Sequence, residues 1–409
     1  MRDTAGPLPA YDTKRSRSMG NRLKNTIRDF FQQADLVLLG LCVGATLFGL
    51  VLIYSCTRYM DRSDALKMLL VQTVAMGLGI LAYFILSMID TEELIRHWKW
   101  FFAFNVGFIC LLRTPLGISG NTGNRAWLSI PGIPFNIQPA EVVKISFILL
   151  LAKQIEWTWQ ERRELNSPRA VVPPAAHLLF MVGLIYVVSS DMGSALVYVF
   201  IFACMMLAAG VGLRWFALGG GLGALGIFGA YKLGKIPTYM LDRFRVLADH
   251  SYQPLGVGWH QSRSLLALGS GRLFGQGLFH GTQTQSKDPG SLPARRTDFI
   301  FSVAGEELGF VGCVAIILLL TAIIFRCLMV ARRARSPYAS YVCVGMAAML
   351  IFQSIENIGM CLFVMPVIGL TLPFFSYGGS SIVTLYAAMG IVSGIKMRAI
   401  PRRRYSRIG

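Results

Sequence analysis

The residues best placed to do chemistry lie in one stretch, Arg295-Arg296-Thr297-Asp298-Phe299-Ile300-Phe301 followed by Ser302-Val303-Ala304-Gly305-Glu306-Glu307-Leu308-Gly309, where a polar segment runs into an apolar one. A carboxylate at such a boundary has two uses. It can cap a helix by accepting from free backbone N–H groups, with Thr297 as the rival of Asp298 for that place. It can also act as a base on a group brought to the membrane surface. Capping and catalysis are compatible, and both stay open for Asp298, as they do for Asp191, which stands between two apolar runs. Glu141 and Lys144 are three residues apart on one helical face, so they form either a structural ion pair that lowers the cost of burying both charges or part of a site. Glu356 and Asn357 fall near the end of another apolar run.

Further cations, Arg243, Arg245, Arg263, Arg272, Lys287, Arg295 and Arg296, share one polar segment. They suit a pyrophosphate or anionic headgroups, or form a solvated face. Gly269-Ser270-Gly271 and Gly275-Gln276-Gly277 permit close backbone approach to a ligand, a weak signal for a phosphate loop. No Ser/His/Asp order or metal-ligand spacing is present, and His250, His260 and His280 are dispersed.

The elements that position these groups are membrane helices. The 409-residue chain is 54% hydrophobic and only 15% charged, with mean hydropathy +0.54, which excludes an ordinary soluble domain. Net charge is +18, but the basic residues sit between apolar runs, which points to a membrane surface and not to nucleic acid. The eight cysteines lie in or beside apolar runs and predict packing without a disulfide framework. The basic segment 14–28 leads into an uncharged run, 36–57, longer than the roughly 7 to 15 residues of a signal-peptide core; no cleaved signal peptide is expected.

A spanning helix takes about 20 mostly apolar residues. The runs predict an all-α polytopic membrane protein with ten transmembrane helices over 36–57, 68–89, 98–112, 139–157, 170–190, 192–213, 215–231, 299–325, 338–362 and 382–395. The fourth contains Glu141, Lys144 and Lys153. Residues 232–297 form one long extracytoplasmic loop between helices 7 and 8, too polar to span and long enough to be functional. Residues 365–381, broken by Pro366, Gly369, Pro373, Gly378 and Gly379, are expected to re-enter or line the protein. The division is therefore 1–35 basic N-terminal segment, 36–231 helices 1 to 7, 232–297 loop, 298–395 helices 8 to 10, and 396–409 basic tail. Lys and Arg of both termini and of the 326–335 turn place these in the cytoplasm. That orientation puts Asp298, Glu306, Glu307, Glu141, Lys144, Asp191, Glu356 and Asn357 together at the outer side. One-sided clustering favours surface chemistry over transport, whose ionisable groups belong near the midplane.

Thr297-Asp298-Phe299-Ile300-Phe301 with Glu306-Glu307-Leu308-Gly309, and Leu372-Pro373-Phe374-Phe375-Ser376-Tyr377-Gly378-Gly379-Ser380-Ser381, resemble the SEDS family of bacterial shape, elongation, division and sporulation proteins, the RodA/FtsW/SpoVE-like group. Gln138-Pro139-Ala140-Glu141-Val142-Val143-Lys144, Asp191-Met192-Gly193-Ser194-Ala195, and Gln261-Ser262 leading to Gly281-Thr282-Gln283 match in the same order. The resemblance implies a peptidoglycan glycosyltransferase that polymerises lipid II at the outer face of the bacterial cytoplasmic membrane. It implies a class B penicillin-binding protein as partner, along with other members of an elongation or division complex. The family's catalytic acid falls on Asp298 and its intramembrane pair on Glu141 and Lys144. Asp191, Arg125, Trp127, Arg243, Arg245, Gln261, Ser262, Glu306, Glu307, Asn357, Ser376, Gly378, Gly379 and Ser380 are candidates for substrate binding or support. No cofactor is firmly predicted; a divalent cation, Mg or Mn, is compatible with the residues, without a dedicated cage among them. The chain departs from the family at Ala294, where an acid is usual, at Arg296 for a frequent His, at Ser189 and Ser190 where a Pro is common, at Gln253 for an Asp, and at Phe363 for a small residue. The alternatives are a lipid II flippase and an inactive scaffold for the penicillin-binding protein.

Overall fold

A computed structural model describes residues 33–399 apart from 120–123, 163, 251, 253–255, 257 and 289. The N-terminal cations, Gln253 and the 400–409 tail lie outside the described residues, so the orientation argument built on them does too. The helices in chain order are α1 (Leu36–Thr57), α2 (Arg62–Met88), α3 (Thr91–Leu94), α4 (Trp98–Cys110), α5 (Pro139–Arg162), α6 (Pro168–Ser189), α7 (Met192–Ala208), α8 (Leu213–Lys232), α9 (Thr238–Ala248), α10 (Trp259–Ser270), α11 (Ile300–Arg332), α12 (Pro337–Cys361) and α13 (Gly379–Ala399). An antiparallel ribbon pairs β1 (Gly117–Ile118) with β2 (Trp127–Leu128). The protein is all-α apart from that ribbon among its described residues.

Seven helices, α1, α2, α6, α8, α11, α12 and α13, are long and apolar enough to cross a membrane. The other three expected spans coincide with α4, of 13 residues, α5, which carries the internal charges, and α7, of 17 residues. Several boundaries move: α2 begins at Arg62, six residues before the uncharged run, because solvated Lys67 and Asp64 extend it by a turn. The 232–297 segment is only partly a loop, since α9 and α10 lie within it.

Helix starts follow local chemistry. Asp35 accepts from Leu38 N at the head of α1; Ser336 caps α12 ahead of Pro337. In α11, Gly309 (φ 68, ψ −162) breaks the helical backbone. It is a position only glycine fits, because an added Cβ would lie 2.3 Å from Gly275 N. That close crossing lets the 271–277 turn run against the first turns of α11, with Gln276 N and Gly277 N donating to Glu306 O and Glu307 O.

The core is formed by α12 with α5, α7 and α11, and by α13 lying along α2. At the end remote from Asp298, buried Asp35 receives Arg326 through Nε at 2.8 Å and Nη2 at 3.0 Å, and Lys396 at 3.2 Å. This ties α1, α11 and α13 together. In contrast, α8 has no buried residue.

Candidate active site

Asp298 ends the turn that leads into α11, and its backbone is held carbonyl by carbonyl. Tyr377 N donates to Arg296 O at 2.8 Å, Ser376 Oγ to Thr297 O at 2.5 Å, and Asn357 Nδ2 to Asp298 O at 2.8 Å. Cys361 Sγ adds a weak contact to the same oxygen. Below, fully buried Phe299 and Ile300 anchor the turn in the core. The cap position of α11 is Phe299, without a side-chain cap bond, so the Asp298 carboxylate is not consumed by capping. It is half-buried, and burial pushes its carboxyl up from the ordinary value to about 6, with the Thr297 side chain working against that rise.

Facing it is the segment 363–378, with non-glycine residues at positive φ at Phe363 and Phe374. Its apolar side chains Leu370, Leu372, Phe374 and Phe375 are buried, and α13 begins at Gly379. Asn357 spends its second amide hydrogen on Leu370 O at 2.7 Å. Ser376 Oγ also accepts from Leu372 N. Gln72 of α2 donates to Ser376 O and accepts from Gly378 N, both at 3.1 Å. An added Cβ on Gly369 would lie 3.9 Å from Asp298 Oδ2, which places the carboxylate against this segment.

A second polar knot adjoins the far face of the same segment. Asp191 caps α7 through Ser194 N at 3.0 Å and also accepts from Ser194 Oγ at 2.7 Å and Gln138 Nε2 at 2.9 Å. Gln138 N reaches Ser380 Oγ. One turn along α5, Lys144 and Glu141 are paired at 2.5 Å with the lysine fully buried. Gly379 lies against Phe135.

The remaining candidates separate by what already holds them. Glu306 accepts from Thr282 Oγ1, Gln283 N, Thr284 N and Thr284 Oγ1, and Glu307 from Ser55 and Gln285; both are fully buried and anchor the 282–285 turn. Gln261 supports the 360–365 corner through Met365 O at 2.8 Å, while Ser262, beside it on α10, is half-buried. Arg125 staples the ribbon through Gly117 O and Thr114 O, and Trp127 pairs in it. Arg245 is exposed and bound to Asp242; Arg243 lies over Tyr239. Arg295 is spent on Gln283 O, Thr284 O and Ser286 O and on the face of Tyr59. Arg296 differs. Its guanidinium meets Met60 Sδ and Met68 Sδ, and it has no acidic partner among the described residues.

Sequence reasoning missed Gln72, and placed Glu356 at the outer side without a role. Gln72 was legible only as a lone polar residue in an apolar run. Among the described residues no group of three or more His, Cys, Asp or Glu side chains is assembled to hold a metal ion. An apolar cavity of about 530 Å³ opens between α11 and α12, from Ile317 and Ile351 up to Gly359 and Met365.

Residues 35–400 match the model of the FTSW_RODA_SPOVE family, described as cell cycle proteins. A probable peptidoglycan glycosyltransferase FtsW of Trichlorobacter lovleyi is 33% identical over 88% of this chain and 92% of its own. Stage V sporulation protein E of Bacillus subtilis is 31% identical over 91% and 98%. Among solved structures, a chain from a peptidoglycan synthase complex described as coordinating polymerization and crosslinking superposes with TM-score 0.73 at 30% identity, covering 90% of this chain and 98% of that one. The rod shape determining protein RodA of Thermus thermophilus gives 0.64 at 29%, covering 89% and 96%.

Proposed function

Because the chain belongs to the FtsW/RodA/SpoVE family of cell cycle proteins, we propose that this multi-pass membrane protein polymerises lipid II into glycan strands with Asp298 as the general base. It is a peptidoglycan glycosyltransferase of cell-wall synthesis. The observation that carries the base assignment is a carboxylate left free by its own helix and fixed by donors to three successive carbonyls.

In the reaction, Asp298 takes the proton of the acceptor sugar hydroxyl as that oxygen bonds to the donor's anomeric carbon. The bond from that carbon to the pyrophosphate oxygen breaks, its electron pair leaves on undecaprenyl pyrophosphate, and the configuration inverts. Arg296 stabilises the growing negative charge, since no carboxylate among the described residues neutralises it, and the exposed Arg245 and half-buried Arg243 gather the anionic donor. Glu141, Lys144, Asp191, Gln138 and Ser380 hold the opposite wall, and Asn357, Ser376, Gly378 and Gln72 hold the base. The apolar cavity between α11 and α12 suits a polyprenyl chain. Among the described residues no group of three or more His, Cys, Asp or Glu side chains stands ready for a Mg or Mn ion.

Ten spans with both termini in the cytoplasm account for the polar residues collecting at one end of the helices and the Asp35, Arg326, Lys396 cluster at the other. This orientation in a bacterial cytoplasmic membrane puts the site and the 232–297 segment at the outer face, where a class B penicillin-binding protein would cross-link the product. The test is reconstitution with that partner and lipid II. Polymer from the wild type and none from Asp298→Asn, at equal insertion, is the expected outcome. An active Asn variant removes the base assignment. Lipid II crossing between leaflets without polymer would favour a flippase, and partner binding alone would favour a scaffold.

A further inference from the structure

Two consecutive arginines stand just ahead of Asp298, and they are held in opposite ways. Arg295 donates to three backbone carbonyls, and its guanidinium lies 3.8 Å from the centre of the Tyr59 ring. Arg296 has its own carbonyl fixed by Tyr377 N, while its Nη1 faces two sulfurs, Met68 Sδ at 3.4 Å and Met60 Sδ at 3.6 Å. Its Nε and Nη2 have no acceptor among the described residues. Tyr59 and Met60 are neighbours in the turn between α1 and α2, so that turn lies along the 295–296 pair residue by residue. Met60 N is itself tied to Thr57 O at 3.0 Å, and Met68 sits in the second turn of α2. Met60, Met68 and Arg296 are all half-buried.

Acids are close in sequence but do not take the sulfurs' place. Asp61 follows Met60, and Asp64 stands one helical turn before Met68. Asp64 pairs with Lys67, and no acid pairs with Arg296 among the described residues. A carboxylate facing the guanidinium would form a charge-assisted pair and cancel much of the field that Arg296 presents to an anion. A thioether is a weak, neutral acceptor on a flexible, polarizable chain. It directs the guanidinium and leaves the charge whole.

We propose that Met60 and Met68 form a thioether cradle for Arg296: they are positioning residues that aim its guanidinium while leaving its charge uncompensated for the pyrophosphate of the lipid-linked donor. This rests on the glycosyltransferase reading, in which Arg296 stabilises the departing group. The end of α1 and the head of α2 thereby reach the reaction without touching the base.

The test replaces Met68 by Glu and by Gln, side chains of like length that differ in charge, in the full chain reconstituted with lipid II and the penicillin-binding protein. Met68→Glu pairs with Arg296 and should lower kcat about tenfold to a hundredfold at an unchanged melting temperature. Met68→Gln, a neutral acceptor, should stay within about threefold of the wild type. In an Arg296→Ala background the change from Met to Glu should cost less than about twofold, because the group it acts on is gone. Equal losses in the Glu and Gln variants, or a Glu loss that persists without Arg296, would overturn the cradle. A second readout is independent of activity. With isotope-labelled methionine methyls, the Met60 and Met68 magnetic-resonance signals of the protein in nanodiscs should shift in Arg296→Ala, and in the wild type when undecaprenyl pyrophosphate is added. Signals that ignore either change overturn the cradle even if polymer is made. Signals that follow both, with no polymer from the wild type, overturn the glycosyltransferase reading alone.

Discussion

The Asp298 side chain carries two opposed demands. Burial holds its carboxyl up at about 6, so the base form predominates above that pH, and polymerisation should drop as pH falls through about 6 in a steady-state assay with saturating lipid II. The same shift has a sign for stability. A carboxyl raised above its unfolded value binds its proton more tightly when folded, so folding gains as pH falls toward about 4 and loses above about 6. Two pH units correspond to about 3 kcal/mol, which partial exposure reduces to roughly 1 to 2. Asp298→Asn should therefore abolish synthesis and raise the melting temperature at pH 8, with little change at pH 4. A variant less stable at pH 8 would count against a destabilised base. Asn357 is the complementary case. Asn357→Ala removes the donor from Asp298 O and Leu370 O at once, leaving buried carbonyls short of a partner at about 1 to 3 kcal/mol each. The expected result is a loss of about tenfold to a hundredfold in kcat, with a smaller change in KM, because the Asp298 carboxylate is displaced and not removed.

At the scale of elements, the non-helical segment 363–378 and the head of α11 form one unit, and α1 presses on it from behind. A Cβ on Gly49 would lie 2.6 Å from Phe375 O and 2.7 Å from Phe375 Cα, immediately before the residues that hold Thr297 O and Arg296 O. Gly49→Ala should cost about 1 to 3 kcal/mol by overpacking and lower polymerisation although the position is buried in α1, as a thermal-shift assay run beside the polymer assay would show. Much of this architecture was legible beforehand. Uncharged runs located the helices, Pro366, Gly369 and Pro373 marked a stretch that could not be a regular span, and Asp191 was readable as a cap. Asn357 and Ser376 were among the expected supporting residues, but what they hold was not legible. Asn357, Ser376 and Tyr377 act on backbone carbonyls, which carry no residue-type signature, across separations of 59 and 79 residues for the side-chain bonds. Glu306 and Glu307 show the reverse limit. In sequence, a carboxylate meeting a ligand looks the same as one gripped by its own chain, and only the 282–285 turn tells them apart. The helices α9 and α10 were hidden by the Gly, Arg and Gln content around them.

The whole molecule has two unlike ends. One gathers Asp298, Asn357, Gln138 and Asp191; the other is tied by Asp35 with Arg326 and Lys396. Asp35→Asn would strip both cations of their buried counter-charge. Since both keep some exposure, the cost is expected near 2 kcal/mol, not the larger figure for a sealed pair. Melting in detergent should register it while turnover per folded molecule stays within about twofold, because no hydrogen bond or ion pair among the described residues links this cluster to Asp298. The three donors that fix the Asp298 turn also have an order of synthesis: Asn357, Ser376 and Tyr377 all follow Asp298 in the chain. A nascent protein whose α11 has just entered the bilayer carries its carboxylate with none of these donors yet made. The site is thus assembled last, when α12 and the 363–378 segment arrive, and a ribosome stalled before Asn357 leaves an inserted but idle polymerase.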